Sequence, residues 1–200
     1  MLSSMSAIAA RNMAVSHRPY KPGIDLSIVG FGGVLLCRTE PAECNRMVSA
    51  AVERGINYFD VAPFYGNGEA EEKMGPALEP FRKDVFLACK SMDRTASGSS
   101  MELERSLLRL RTDHFDLYQF HSVKTLEEVE QILGPGGAGE TLLKARDEGK
   151  IRFLGFSAHS AAAALALMGK FPLDSVLFPV NYVCYAQGTS DRRYLSLIHI

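Results

Sequence analysis

Several common chemistries are missing from this 200-residue chain. Its Lys and Arg total 22 against 23 Asp and Glu, so it has no basic excess to hold a phosphate backbone by counterion release. Nucleic acid is therefore not the expected partner. No run approaches the roughly 18 uninterrupted apolar residues of a membrane-spanning helix. The four cysteines, Cys37, Cys44, Cys89 and Cys184, include no C-x-x-C pair. No His-x-x-x-His accompanies them, so neither a zinc site nor a redox dithiol is expected. Free thiols suit a reducing cytoplasm. Gly30-Phe31-Gly32-Gly33 lacks the third glycine of a dinucleotide fingerprint, and Gly66-Asn67-Gly68 has no following Gly-Lys-Ser/Thr. There is also no Ser-His-Asp order.

What is present is a regular alternation. Six short apolar runs read as strands buried on both faces: 28–33, 56–60, 85–90, 115–121, 151–156 and 175–180. Helical patterns lie between them. Pro41 can open a helix with Met47, Val48, Ala51 and Val52 on one face, and Gly55 can end it. Ser99 with Glu102 reads as a capping box ahead of Leu103, Leu107 and Leu110. Leu142, Leu143 and Ala145 precede a Gly149 stop, and Ser160 caps 161–168 before Gly169. The glycine-rich stretch 134–139 reads as a connector between helices. This order is the α/β signature with a parallel sheet.

A polar residue closes each of five successive strands: Asp60, Lys90, His121, Ser157 and Asn181. Their spacings of 30, 31, 36 and 24 residues match one βα unit of about 30. Several polar groups at one end of a sheet favour a (β/α)₈ TIM barrel over a doubly wound sheet, whose crevice draws mainly on two strands. The barrel ordinarily takes about 250 residues. The expectation is thus a barrel truncated after about the sixth strand. Residues 1–19 are expected as a flexible tail and 20–188 as the incomplete barrel domain. Residues 189–200 are expected as a non-native junction or the start of a sixth helix. The first 24 residues carry Arg11, Arg18 and Lys21 and no acid, so an organelle-targeting role for the tail is the alternative to plain cytoplasmic residence.

Asp60, Tyr65, Lys90 and His121 are the candidate catalytic residues. A lysine beside a tyrosine favours the phenolate, which makes the phenol a better proton donor. Asp60 can pair with Lys90 and offset the cost of burying its charge. His121 can hydrogen-bond and orient a carbonyl oxygen. The set suits protonation of an oxygen as hydride reaches its carbon.

The segments Gly55-Ile56-Asn57-Tyr58-Phe59-Asp60-Val61-Ala62-Pro63-Phe64-Tyr65-Gly66, Asp116-Leu117-Tyr118-Gln119-Phe120-His121 and 149–157 resemble the aldo/keto reductases from about Tyr20 to Tyr185. The resemblance implies reduction of an aldehyde or ketone with NADPH, or with NADH. It implies Tyr65 as proton donor, tuned by Lys90 and His121, with Asp60 paired to Lys90. It also implies cofactor contacts from Gly32, Gly33, Asp60, Ser157 and Asn181, and no metal. The chain departs from the family pattern at Ala158, where Asn is usual, and near Phe178, where the usual Gln is not found. A small carbonyl compound is the expected partner. The alternative is a non-catalytic regulator that binds a nicotinamide nucleotide, or an inactive fragment, on the same scaffold.

Overall fold

The computed structural model describes residues 14–179 and 197–199. Two antiparallel strands, β1 (His17–Lys21) and β2 (Ile24–Ser27), form a hairpin. A second sheet follows in strict chain order: β3 (Phe31–Gly32), β4 (Tyr58–Asp60), β5 (Phe86–Ser91), β6 (Phe115–Val123), β7 (Ile151–Ala158), β8 (Ser175–Pro179) and β9 (Leu197–His199). Strands β3 to β8 are parallel, and β9 pairs antiparallel with β8. Among the described residues the order never reverses, so these strands form no switch point of the doubly wound kind. Six parallel strands in sequence are the winding of a (β/α)₈ barrel.

Helices alternate with these strands: α1 (Pro41–Glu53), α2 (Glu69–Leu78), α3 (Ala96–Arg109), α4 (Leu126–Leu133), α5 (Ala138–Asp147) and α6 (Ala161–Met168). Helix α1 starts at Pro41, whose missing N–H is unneeded there, and buries Cys44, Val48 and Ala51. Gly55 and Gly149 follow their helices at φ 84° and 76°, the left-handed conformation glycine adopts without steric cost. Ser160 caps α6 by accepting from Ala163 N.

The structure corrects four readings. The first strand is only Phe31–Gly32, with Ile28 and Val29 exposed ahead of it. Helix α3 begins one turn before the expected cap: Thr95 accepts from Gly98 N, while Ser99 lies buried inside the helix. Glu102 serves another purpose, described below. Part of the expected tail is also ordered. Residues 17–19 belong to β1, and Val15 N donates to Arg54 O at 2.8 Å. Finally, Leu197–His199 is a strand on the edge of β8 rather than part of a helix. The hairpin, α2 and α4 are further elements that apolar periodicity did not mark. Helix α4 carries a reciprocal capping box of its own, Thr125 with Glu128.

Side chains alternate along each parallel strand, and the two faces differ. Phe59, Leu87, Cys89, Tyr118, Phe120, Leu154 and Phe156 pack with Val48, Leu103, Leu107, Leu142 and Leu167 of the helices in the main core. Tyr58, Phe86, Ala88 and Leu117 form a second cluster with Tyr20, Ile24 and Leu26 of the hairpin and with Phe153. Tyr20 stands edge-on to Phe86 and Phe153, with ring centroids 5.5 and 5.6 Å away. The hairpin thereby covers the N-terminal ends of the strands. Each aromatic pair of this kind is worth roughly 0.5–1.5 kcal/mol beyond the area it buries.

Candidate functional site

The face that is aromatic at the N-terminal end becomes polar two to four residues later. Asp60 follows Tyr58, Lys90 follows Phe86 and Ala88, His121 follows Leu117 and Gln119, and Ser157 follows Phe153 and Gly155. Because the side-chain period of a strand is two, each polar residue shares its face with an apolar one beneath it. The parallel register sets Asp60 beside Ala88, Lys90 beside Gln119, and Gln119 beside Gly155. Strand-end groups separated by some 30 residues in sequence are thus neighbours in space.

Lys90 is the centre of the site. It is among the largest fully buried side chains, at 1% exposure. Its ammonium pairs with the Asp60 carboxylate through Oδ1. It also donates to the Val61 carbonyl at 3.3 Å and to the Tyr65 hydroxyl oxygen at 3.3 Å. Nζ lies 5.1 Å from the Tyr65 ring centroid. Burial pulls the ammonium pKa down, but the charge of Asp60 and the neighbouring Tyr65 outweigh it, and the net shift is upward. Lys90 is therefore a fixed cation, with three donors directed at three acceptors.

Tyr65 comes from the tight turn Tyr65–Gly68 that follows β4. Gly66 (φ 62°) and Asn67 (φ 55°) give that turn its reversal. The His121 ring stands perpendicular to the Tyr65 ring, centroids 5.9 Å apart. Burial, then the charges of Lys90 and Arg94, push the His121 pKa down to about 3. His121 is accordingly a neutral imidazole at physiological pH. Its Nδ1 has no hydrogen-bond partner among the described residues.

The structure brings together all four candidate catalytic residues. Among the expected cofactor contacts the picture is mixed. Gly32 pairs with Asp60 in register, and a Cβ there would meet nothing within 4 Å, so open space adjoins the strand end. Gly33 differs: a Cβ would lie 2.9 Å from Val61 Cγ2 and 3.0 Å from Met74 Cε, so close packing accounts for this glycine. Ser157 is buried at the end of β7, and its Oγ accepts from Ser122 N at 2.7 Å. Asn181 lies outside the described residues. Also among the described residues, no group of three or more His, Cys, Asp and Glu could hold a metal, and no helix is long and apolar enough to cross a membrane.

Three residues that sequence reasoning missed support the site. Gln119 is fully buried and donates to Asp60 Oδ2 at 3.4 Å, so the carboxylate is held on both oxygens. Its sequence signal was available: a polar residue two positions before His121, inside an apolar strand. Glu102 Oε2 accepts from Ser91 Oγ (2.7 Å), Met92 N (2.8 Å) and Asp93 N (3.2 Å), which ties down the loop after Lys90. Arg94, in that loop, donates to the His121 carbonyl at 2.7 Å. The local pattern at Glu102 pointed to a helix cap instead, and Arg94 has no local pattern that marks it, because its partner, the His121 carbonyl, is 27 residues away.

Comparison with known proteins agrees with this geometry. The family model described as the aldo/keto reductase family matches residues 29–195. An oxidoreductase of Bacillus subtilis, YqkF, is 33% identical over 146 residues, covering 67% of this chain and 45% of its own length. The aldo-keto reductase YhdN of the same organism is 32% identical over 80% of this chain and 51% of its own length. The chain thus spans about half the length of these curated relatives. Among solved structures, the holo form of aldo-keto reductase AKR11C1 from Bacillus halodurans superposes with a TM-score of 0.68 at 27% identity, covering 80% of this chain and 55% of that one. An aldo/keto reductase from Klebsiella pneumoniae in complex with NADP and acetate gives 0.60 at 27% identity, covering 74% and 52%. The chain belongs to the aldo/keto reductase family.

Proposed function

We propose that this site reduces an aldehyde or ketone to an alcohol with a nicotinamide cofactor, NADPH or NADH, and that Tyr65 is the proton donor. The observation that carries this reading is the Lys90 ammonium, buried between the Asp60 carboxylate and the Tyr65 hydroxyl. The residues present fit a nicotinamide nucleotide. Open space lies at Gly32 beside Asp60, and the Ser157 hydroxyl sits at the same end of the sheet with a hydrogen left to donate. When bound, the cofactor supplies hydride to the carbonyl carbon.

The chain's own groups handle the oxygen. Tyr65 gives its proton to the carbonyl oxygen as negative charge develops there. Lys90 stabilises the phenolate left behind, because its charge is close and shielded from water. Asp60 keeps the ammonium in place, and Gln119 keeps Asp60 in place. The neutral His121 ring hydrogen-bonds the carbonyl oxygen and orients it toward Tyr65 without competing as a cation.

Tyr65→Phe tests the reading, since it removes only the hydroxyl. Turnover of an aldehyde such as 4-nitrobenzaldehyde should fall by about 10³-fold, within the range of positioned general acids. NADPH affinity, followed by fluorescence titration, should stay unchanged. Turnover retained in Tyr65→Phe overturns the proposal. NADPH binding with no turnover by the unaltered chain on a broad aldehyde panel would favour a nucleotide-binding regulator instead.

A further inference from the structure

We propose that Arg94 is a positioning residue of the site, holding the main chain of His121 so that its ring faces Tyr65. Arg94 follows β5 in the loop that Glu102 ties down, and its side chain is nine-tenths buried. Its own backbone is anchored independently of its guanidinium. Arg94 O accepts from Ala138 N at 2.8 Å, and next to it Ala96 N donates to Gly136 O at 2.7 Å. From this fixed base Nη2 reaches across to donate to the His121 carbonyl at 2.7 Å.

The opposite side of the same peptide is also held. Ser122, the next residue, has φ 57°, a conformation that residues other than glycine seldom adopt. Its N–H donates to Ser157 Oγ at 2.7 Å. The ladder between β6 and β7 shifts register between Phe120 and Val123, so ordinary sheet bonds do not secure His121. Arg94 and Ser157 take the place of that missing ladder, one at the carbonyl and one at the following amide.

Glu128 completes the arrangement. One carboxylate oxygen lies 3.6 Å from Arg94 Nη2, and the other accepts from Lys124 N at 2.5 Å and Thr125 N at 3.4 Å. The start of α4 and the turn after His121 are thereby tied to the same guanidinium. Nε and Nη1 of Arg94 remain buried without hydrogen-bond partners among the described residues. Unpaired buried donors cost stability, so a stabilising role alone does not account for an arginine here.

The activity part of the test rests on the reductase reading; the spectroscopic part does not. Histidine is labelled with nitrogen-15 in the full chain, and the His121 ring signals are assigned by their loss in His121→Gln. Arg94→Met should displace those signals. It should also lower kcat on 4-nitrobenzaldehyde by about 10²-fold, the scale of a small misplacement of a reacting group, with NADPH affinity within about twofold. Arg94→Lys, which keeps one donor for the carbonyl, should return the signals and most of kcat toward the unaltered protein. If Arg94→Met does not fold, Glu128→Gln should displace the signals in the same direction and by less. Unmoved His121 signals in Arg94→Met overturn the proposal. So does an Arg94→Lys variant no closer to the unaltered protein than Arg94→Met, or a Glu128→Gln variant with no displacement when it is the only one that folds. If the unaltered chain turns over no aldehyde, the reductase reading fails and the ring signals alone decide the role of Arg94.

Discussion

The two ends of the same parallel strands do opposite work. At the N-terminal end, Tyr58, Phe86 and Phe153 meet Tyr20 of the hairpin in an aromatic cluster. At the C-terminal end, two to four residues further on and on the same face, Asp60, Lys90, His121 and Ser157 converge. One end gains stability from burial. The other spends it, because a buried cation and carboxylate stay desolvated whether or not they react. Each strand thus presents an apolar base and a polar tip, and a substitution should act on stability or on the proposed chemistry according to its position along the strand.

Lys90→Met should break the comparison most sharply. It removes the group that touches both Asp60 and Tyr65, so turnover should fall by about 10³-fold. It also leaves the Asp60 carboxylate without its counter-ion, at a cost of about 3–5 kcal/mol in stability. Asp60→Asn added to Lys90→Met should restore most of that stability and none of the turnover, as urea titrations beside rate assays would show. A double variant no more stable than Lys90→Met would mean that the pair does not cost what its burial implies.

Phe86→Ala tests the other end. The ring is 5% exposed and lies against Tyr20, Tyr58 and Phe153. Its loss should destabilise the fold by about 3–5 kcal/mol with little change in turnover per folded molecule. A selective loss of kcat at unchanged melting temperature would erase the division between the ends.

Taken per pH unit, the smallest expected effect is the pH dependence contributed by His121. The folded pKa is lowered to about 3, against about 6.5 in an unfolded chain. Below pH 6.5 the unfolded chain takes up a proton that the folded one does not. Stability from this group is therefore full above pH 6.5. It falls by about 1.4 kcal/mol per pH unit as the pH drops toward 3. His121→Gln should flatten that slope by one proton in urea midpoints measured from pH 7 to 4. An unchanged slope would place a titrating, charged imidazole in the site.

The catalytic candidates were legible because their signal is local. An ionisable residue directly after an apolar run stands out in sequence, and three of them, Asp60, Lys90 and His121, recurred at the spacing of a βα unit, with Tyr65 five residues after the first. The parallel strands were legible for the same reason, except where β3 proved to be two residues long. The hairpin was not, since the alternation at Ile24 and Leu26 is too short to stand out, and the surface these residues cover, Tyr58, Phe86, Leu117 and Phe153, comes from four other strands. The helix start at Thr95 was misplaced because Glu102 fits a capping-box spacing, whereas its carboxylate is taken by Met92 N, Asp93 N and Ser91 Oγ.

By itself, the sequence determined which residues could do chemistry and in what order the strands would carry them. Spacing, apolar runs and side-chain type are properties of the chain before it folds. Tertiary structure alone decided which glycine is open and which is packed, that Gln119 holds Asp60, and that Arg94 reaches the His121 carbonyl. These facts depend on distances between segments about 25 to 60 residues apart. Such distances exist only once burial of the aromatic and aliphatic core has brought the strands into register.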